Sequence, residues 1–143
     1  MAKRPKRKTI AQELDKAAVL LQKLVRMKAA DDHGYAQCVS CGKIEHWKKM
    51  DGGHWLSRRH SRTRCLEENI HPQCKRCNML MGDPQVHEAY RDYMVKMYGE
   101  RRVRAMKKLT YLPPKKFDRA EVIAFQEEVK KRIKIESIRL GEI

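Results

Sequence analysis

Four of the five cysteines stand in two Cys-x-x-Cys pairs, a spacing that is typical of metal ligands. The pairs are Cys38 with Cys41 and Cys74 with Cys77. Each Cys-x-x-Cys turn brings two thiolates to one side of an ion, so two turns complete a closed tetrahedral zinc site. In a reducing compartment this spacing indicates metal more often than disulfides, and a redox pair would need a βαβ context that these segments do not resemble. The sequence therefore predicts one structural Zn²⁺, with Cys65 outside the ligand set.

A carboxylate, an imidazole and an amide lie close to these cysteines in the sequence. Together these three groups could hydrolyse a phosphodiester. They belong to Asp51, His54 and Asn78. Hydrolysis needs a base for the attacking water, and a neutral imidazole with a pKa of about 6.5 suits that role. It also needs a cation near the phosphate, and carboxylate and amide oxygens are suitable ligands for a hard Mg²⁺. The alternatives are a packing histidine, a turn-forming aspartate before two glycines and a helix-capping asparagine.

Longer elements flank this cysteine-rich segment and must hold it. Apolar residues recur at steps of three and four along residues 9–31, which predicts one amphipathic helix with Thr9 as its N-cap. The middle of the chain has short segments that predict small strands, loops and a helix opening near Cys74 or Arg76. Later in the chain the spacing is helical again, and Asp118 is placed to cap a last helix. The helical stripes could pack in the core or pair with a second copy, so a homodimer is an open alternative.

These patterns predict an α+β fold that is mainly helical, with a central zinc-bound module between an N-terminal helix and C-terminal helices. The predicted divisions are a disordered basic tail over residues 1–8, the amphipathic helix over 9–31, the zinc-knuckle module over 35–98 and a basic helical extension over 99–143. A chain of 143 residues with 36% charged and 6% aromatic side chains builds only a modest core. We therefore expect the metal to contribute much of the stability of the module.

The charge balance favours a polyanionic partner. Lys and Arg number 33 against 18 Asp and Glu, which gives a formal net charge of +15. Nucleic acid is the first candidate, whereas an anionic membrane would require a strongly apolar helix face beside the basic runs, and none is evident. The longest purely apolar run, residues 17–21, is far too short to span a membrane, and no signal-peptide pattern follows the basic start. A cytoplasmic protein without a membrane partner is expected.

Basic side chains cluster near the residues that could do chemistry. They lie in the loop after His54 and beside the second cysteine pair, at Arg58, Arg59, Arg62, Arg64, Lys75 and Arg76. A single basic run is usually a solvated surface, but arginine binds phosphate through two parallel hydrogen bonds, which favours the loop as a contact to the DNA backbone. Nothing in the sequence resembles a helix that reads bases in the major groove, so recognition of shape rather than sequence is expected.

The order of these residues resembles a known nuclease pattern. Cys-x-x-Cys, then an acidic residue and a histidine, then Asn-Ile-x-x-x-Cys-x-x-Cys-Asn is similar to the zinc-knuckle form of the HNH, or ββα-metal, endonucleases. The sequence over residues 24–98 more closely resembles the phage lambda NinG (Rap) recombination family. The stretches that carry this resemblance are residues 24–28, 34–35, 38–43, 50–54 and 71–78.

The resemblance implies a structure-specific endonuclease of phage recombination that cuts branched DNA, such as Holliday junctions and D-loops, in the host cytoplasm. It assigns His54 as the general base and Asn69 as a brace for the loop that orients it. Asp51 and Asn78 would hold a catalytic Mg²⁺ or Mn²⁺. The products would carry a 5′-phosphate and a 3′-hydroxyl. The module at residues 35–98 would then be an HNH-like ββα-metal domain.

The acidic residue departs from the family pattern. Many HNH proteins place a metal ligand directly before the base, whereas that position here is Gly53 and the acid is Asp51. Alternation along a strand would turn Asp51 and His54 to opposite faces unless the two glycines form a bulge.

Two other functions fit part of the pattern. A non-catalytic zinc-ribbon module that binds nucleic acid explains the cysteines and the charge, and a sequence-specific HNH nickase would need a base-reading element.

Overall fold

The first helix, α1, spans Ile10–Ala29 in the computed structural model, which describes residues 2–142. Thr9 caps this helix, as predicted from the sequence. Its hydroxyl accepts a hydrogen bond from the Gln12 N–H, while the Gln12 side chain accepts one from the Thr9 N–H. This reciprocal pair satisfies two backbone donors that the start of a helix would otherwise leave unpaired.

The predicted basic tail precedes the first helix. Residues 2–8, most of the predicted basic tail, are exposed and have no regular secondary structure. Met1 of that tail and Ile143 of the predicted C-terminal extension lie outside the described residues. No helix in the described part of the chain is long and apolar enough to cross a membrane.

Two small antiparallel sheets follow α1. In the first, β1 (Tyr35–Gln37) pairs with β2 (Ile44–His46), and the first cysteine pair lies in the turn between them. In the second, β3 (Asp51–His54) pairs with β4 (Ile70–Gln73). A short 3-10 turn (Trp47–Lys49) joins the two sheets. Two-stranded sheets are marginal in water on their own, so the positions of these strands depend on packing and on the cysteine cluster.

The connection between β3 and β4 holds its own short elements. It carries a one-turn helix, α2 (Ser61–Arg64), and a second 3-10 turn (Glu67–Asn69). β4 then leads directly into α3 (Lys75–Met79), whose N-cap is Cys74. The helix predicted near Cys74 or Arg76 is therefore present, and it begins at the second cysteine pair.

Three further helices complete the fold: α4 (Pro84–Tyr98), α5 (Glu100–Leu109) and α6 (Arg119–Arg139). Asp118 caps α6, as predicted, through a backbone N–H of the first turn. Gly99 lies between α4 and α5 with a φ of 85°, a left-handed backbone that favours glycine and lets the chain change direction. The predicted class, α+β and mainly helical, is confirmed.

The centre of the core is α1. It packs against α6 and against β3 and β4. The buried side chains that meet there are Leu21, Leu24 and Val25 of α1, Ile70 of β4 and Val129 of α6. A second cluster gathers α4, α5 and the end of the hairpin around Trp55, Tyr90, Met94, Val103 and Met106. Much of the predicted apolar surface is therefore buried within one chain, although Ile135 and Ile138 of α6 stay exposed.

Candidate active site and cysteine cluster

The four paired cysteines form one cluster. Every pair of their sulfur atoms lies within 4.8 Å, and the Cys41 and Cys74 sulfurs are 3.7 Å apart. A tetrahedral zinc with Zn–S bonds of about 2.3 Å spaces its sulfurs by about 3.8 Å, so the cluster fits this ion. The Val39 N–H donates to the Pro72 carbonyl at 3.1 Å and ties the segments of the two pairs together. The convergence predicted from the spacing is present.

The surroundings of the sulfur atoms also favour a bound cation. Three of the four cysteines are buried, in a cluster that includes Met27 and Trp47. Burial raises the pKa of Cys74 and of Cys77, and neighbouring cysteine sulfurs raise that of Cys77 further. Four thiolates in so small a volume would repel one another, and a divalent ion removes that repulsion while it holds the ligands deprotonated.

The β3–β4 hairpin pairs in regular register from Asp51 to His54, with Gly52 and Gly53 inside it. The bulge that two glycines could have formed is therefore absent, and alternation along β3 gives Asp51 and His54 opposite faces. Close packing explains the glycine at position 52 instead. A Cβ atom there would lie 2.7 Å from the Cβ of Gln22, so α1 rests directly on the backbone of β3.

The carboxylate of Asp51 has a partner on each oxygen. The Lys75 ammonium donates to Oδ1 at 2.9 Å, and the Asn78 amide donates to Oδ2 at 3.0 Å. Burial opposes ionisation of this carboxyl, but the two hydrogen bonds and the positive charges of Lys75 and Arg26 together outweigh it and lower the pKa of Asp51. The structure thus brings the two predicted ligands of the catalytic metal together. The amide nitrogen of Asn78 faces the carboxylate here, and its amide oxygen would have to turn toward Asp51 for both side chains to offer oxygen ligands to a hard divalent cation.

His54 is held by a main-chain carbonyl. Its Nε2 lies 2.8 Å from the carbonyl oxygen of Arg64, and because a carbonyl only accepts, Nε2 must carry the proton. The lone pair of the neutral ring is then on Nδ1. Burial lowers the pKa of His54; the Arg64 carbonyl opposes that effect, and the nearby charge of Arg58 adds to it. The imidazole is therefore neutral at pH 7 and able to accept a proton.

Asn69 braces the loop that holds His54. Its side chain is fully buried. The amide nitrogen donates to the carbonyls of Leu56 at 3.0 Å and Thr63 at 3.1 Å, and the amide oxygen accepts from the Leu56 N–H at 2.8 Å. Thr63 immediately precedes Arg64, whose carbonyl holds the imidazole of His54. Asn69 therefore fixes the loop at both ends without reaching the space around the base.

Two adjoining cavities open around these residues. One of about 310 Å³ is lined by Asp51 and Lys75, and the other, of about 530 Å³, is lined by His54. Gln22 of α1 and Asn78 of α3 line both cavities. The carboxylate and the imidazole lie on opposite faces of β3 and line different cavities, which adjoin at Gln22 and Asn78; we refer to the two cavities together as the cleft.

Sequence reasoning missed several residues that line this cleft, among them three polar side chains on α1 and α4. Gln22 and Arg26 come from α1, and His87 comes from α4. Arg26 is partly buried and donates from Nη1 to the Met50 carbonyl at 3.0 Å, while burial lowers its pKa. Gln22 and Arg26 are four residues apart and so share a helix face, but the periodicity of α1 does not reveal that this face packs on β3.

The predicted DNA-binding residues divide into two groups. Arg58, Arg59 and Arg76 are exposed, and Arg58 also lines the cavity of His54. The other three are engaged within the chain. Arg62 donates to the Pro113 carbonyl at 2.8 Å, Arg64 pairs with Asp15, and Lys75 pairs with Asp51.

His71 lies away from this cleft. Its Nδ1 is 3.2 Å from the hydroxyl of Tyr90, and its Nε2 is 2.7 Å from that of Tyr98. Burial lowers the pKa of His71 to about 4, so the ring is neutral. The Tyr90 hydroxyl donates to the Gly53 carbonyl at 2.6 Å and fastens α4 to the hairpin. His71 therefore has a structural position.

Comparison with known proteins gives one match. A family model described as "Bacteriophage Lambda NinG protein" matches residues 2–137, which extends well beyond the central motifs. Searches among the curated proteins and among the solved structures return no significant match.

Proposed function

The chain belongs to the NinG family, and from that premise we propose that it is a metal-dependent endonuclease of phage recombination. Its substrate class is branched DNA, such as Holliday junctions and D-loops, in the cytoplasm of the host. The cysteine cluster holds a structural zinc ion, and the hairpin β3–β4 with α3 forms the HNH-like ββα-metal unit that carries the chemistry.

A single observation supports this proposal most strongly. The carbonyl of Arg64 directs Nε2 of His54, which leaves the lone pair on Nδ1. Asn78, the partner of Asp51, lines the cavity of His54 as well. A structural zinc module would have no need for a buried neutral imidazole with an oriented lone pair in a cavity that it shares with the partner of a carboxylate. Phosphodiester hydrolysis needs both a base and a cation near the phosphate.

The residues of the chain divide the reaction between them. Nδ1 of His54 takes a proton from the attacking water as the new P–O bond forms and the bond to the 3′-oxygen breaks. The 3′-oxygen takes up a proton from solvent, and the products carry a 5′-phosphate and a 3′-hydroxyl. A Mg²⁺ or Mn²⁺ ion held by Asp51 and Asn78 would supply positive charge to the phosphate and the departing oxygen.

Binding of the DNA backbone falls to exposed basic side chains. Arg58, Arg59 and Arg76 are free to reach phosphates, and Lys75 stands at the edge of the cleft. We propose that Arg62 and Arg64 act indirectly, by holding the loop through Pro113 and Asp15. A homodimer would present two clefts to one four-way junction, and we retain it as part of the proposal.

The test compares His54→Ala with His33→Ala, which removes an exposed histidine that lines neither cavity of the cleft. On a labelled four-way junction with Mg²⁺, His54→Ala should cut about 10²–10⁴ times more slowly than the unchanged protein, because that is the usual contribution of a general base. DNA binding and thermal unfolding should change little, and His33→Ala should behave like the unchanged protein.

Two results would contradict the proposal. Normal cutting by His54→Ala would remove this histidine from the mechanism. Junction binding by the unchanged protein without cutting, under both Mg²⁺ and Mn²⁺, would favour the non-catalytic zinc-ribbon module.

A further inference from the structure

The carboxylate of Asp51 is already engaged by cationic and N–H donors. Oδ1 accepts from the ammonium of Lys75 at 2.9 Å, and Oδ2 accepts from the amide nitrogen of Asn78 at 3.0 Å. A metal ion bound to Oδ1 would therefore lie beside the ammonium of Lys75, and the two positive charges would repel each other. Departure of Lys75 from Oδ1 removes that repulsion, and the Asn78 side chain must turn so that its amide oxygen rather than its nitrogen faces the ion.

The cavity around Asp51 is also strongly positive. Arg26, Lys48 and Lys75 line it against the single carboxylate of Asp51, so three positive groups and one negative group give a formal charge of +2. A divalent cation that entered this cavity alone would meet net repulsion. A DNA phosphate that entered with it would compensate part of that charge.

Lys75 is well placed to exchange one anionic partner for another. Its side chain is 70% exposed, whereas that of Asp51 is 31% exposed. The residue lies in the first turn of α3, three positions before Asn78. A flexible lysine stem can move its ammonium from the carboxylate to a phosphate at the mouth of the cleft without any change in the backbone.

We propose that Lys75 is a positioning residue that makes divalent-metal binding depend on DNA. In the free protein its ammonium holds Asp51, and when DNA binds it moves to a backbone phosphate, so that Asp51 and Asn78 can take the metal. This inference rests on the proposed function, since it concerns the same cleft. By linkage, DNA raises the affinity for the metal by the same factor as the metal raises the affinity for DNA.

The first test measures Mn²⁺ affinity in the zinc-loaded full chain without DNA, from the electron paramagnetic resonance signal of free Mn²⁺. Lys75→Met should bind Mn²⁺ about tenfold more tightly than the unchanged protein, because it removes a unit charge in direct contact with the ligand. Asp51→Asn should abolish this binding, which assigns the signal to the cleft.

The matched control is Lys48→Met. Lys48 lines the same cavity and carries the same charge, but its ammonium lies 3.7 Å from Glu142 and makes no ion pair with Asp51. Its removal should change the Mn²⁺ affinity by about twofold or less at physiological salt, because its charge is paired with Glu142 and does not contact Asp51. Equal effects of Lys48→Met and Lys75→Met would show that net charge alone matters and would overturn the proposal.

The second test adds a four-way junction, with all proteins carrying His54→Ala so that the DNA stays uncut. The protein that retains Lys75 should bind Mn²⁺ more tightly in the presence of the junction than in its absence. This increase in affinity should be smaller in the Lys75→Met variant. If DNA strengthens Mn²⁺ binding equally with and without Lys75, the proposed role of Lys75 is overturned. The proposed nuclease function still stands in that case if the protein that retains His54 cuts the junction. Absence of Mn²⁺ binding in every variant, with and without DNA, overturns both this inference and the proposed nuclease.

Discussion

His54 combines two features that set the pH dependence of the proposed reaction. Its Nε2 proton is fixed by the Arg64 carbonyl, and its pKa is lowered from 6.5, mainly by burial. The base is active when it is unprotonated, so a lowered pKa shifts the active form toward lower pH. The cleavage rate should therefore rise with pH in the acidic range and be level at pH 7.

A pH–rate profile under single-turnover conditions checks this expectation, with metal held saturating at each pH. The profile should show an acidic limb with a midpoint below 6.5, and this limb should be missing from the residual activity of His54→Ala. A midpoint above 7 would contradict the assignment, because it would require an imidazole whose charged form is stabilised, contrary to the burial of His54.

Asn69 and Asn78 carry the same amide group, but replacing each by alanine should affect stability and cleavage differently. Asn69→Ala leaves the buried carbonyls of Leu56 and Thr63 without a donor, at a cost of about 1–3 kcal/mol for each unsatisfied group. It should lower both the free energy of unfolding and the cleavage rate. Asn78→Ala should reduce cleavage and Mn²⁺ binding with little change in stability. Urea unfolding together with cleavage assays separates the two, and equal stability of both variants would refute the bracing role of Asn69.

For individual residues, the sequence predicted which side chains belong to the candidate site better than it predicted the contacts that they make. The spacing predicted that the four cysteines converge, and the chemistry of the residues near them suggested Asp51 and Asn78, which the structure places in contact. The pairing of Lys75 with Asp51 was missed, as were Gln22 and His87 in the cleft. These contacts depend on how α1, α3 and α4 are rotated against the hairpin, and tertiary packing decides that rotation.

The contact between α1 and β3 shows how the elements form the cleft. A Cβ on Gly52 would lie 2.7 Å from the Cβ and 2.8 Å from the Cα of Gln22, so neither side can yield without moving a helix. Gly52→Ala should therefore destabilise the protein by about 1–3 kcal/mol, the usual cost of overpacking, and should reduce cleavage. A Cβ on Gly82 would meet nothing within 4 Å, so Gly82→Ala should leave stability unchanged.

Thermal unfolding of the two glycine variants checks this prediction. Similar midpoints for Gly52→Ala and Gly82→Ala would mean that α1 does not rest on β3 as closely as the structure has it. Loss of cleavage in Gly52→Ala without any loss of stability would show that the spacing matters for the cleft alone.

Helices were the elements most predictable from sequence. α1 and α6 carry both an apolar period and a capping residue, and Thr9 and Asp118 occupy the predicted caps. The strands have only three or four residues, too few for a pattern to emerge, and their register follows from packing. The basic segment after Gly99 is a helix because Val103 and Met106, three residues apart, turn one face into the core.

For the whole molecule, we expect the cysteine cluster to be the main support of the central module. The hairpins on either side are marginal alone, and structural zinc contributes an apparent ~10–16 kcal/mol in small domains, comparable with a domain stability of ~5–15 kcal/mol. We therefore expect one zinc ion per chain by elemental analysis. Chelation should unfold the module and abolish cleavage, and Cys77→Ser should do the same, as measured by circular dichroism. A folded, active protein without zinc would exclude a structural role for the cluster.

The net charge of +15 favours a polyanionic partner, which we propose is DNA. The most direct test incubates the zinc-loaded protein with a labelled four-way junction and a matched linear duplex, with and without added Mg²⁺. Omission of Mg²⁺ is preferable to a strong chelator, since a chelator could also remove zinc. The account predicts Mg²⁺-dependent cutting of the junction in preference to the duplex, with 5′-phosphate ends. Binding of both DNAs without any cutting, under Mg²⁺ or Mn²⁺, would contradict the central claim that this cleft is a nuclease site.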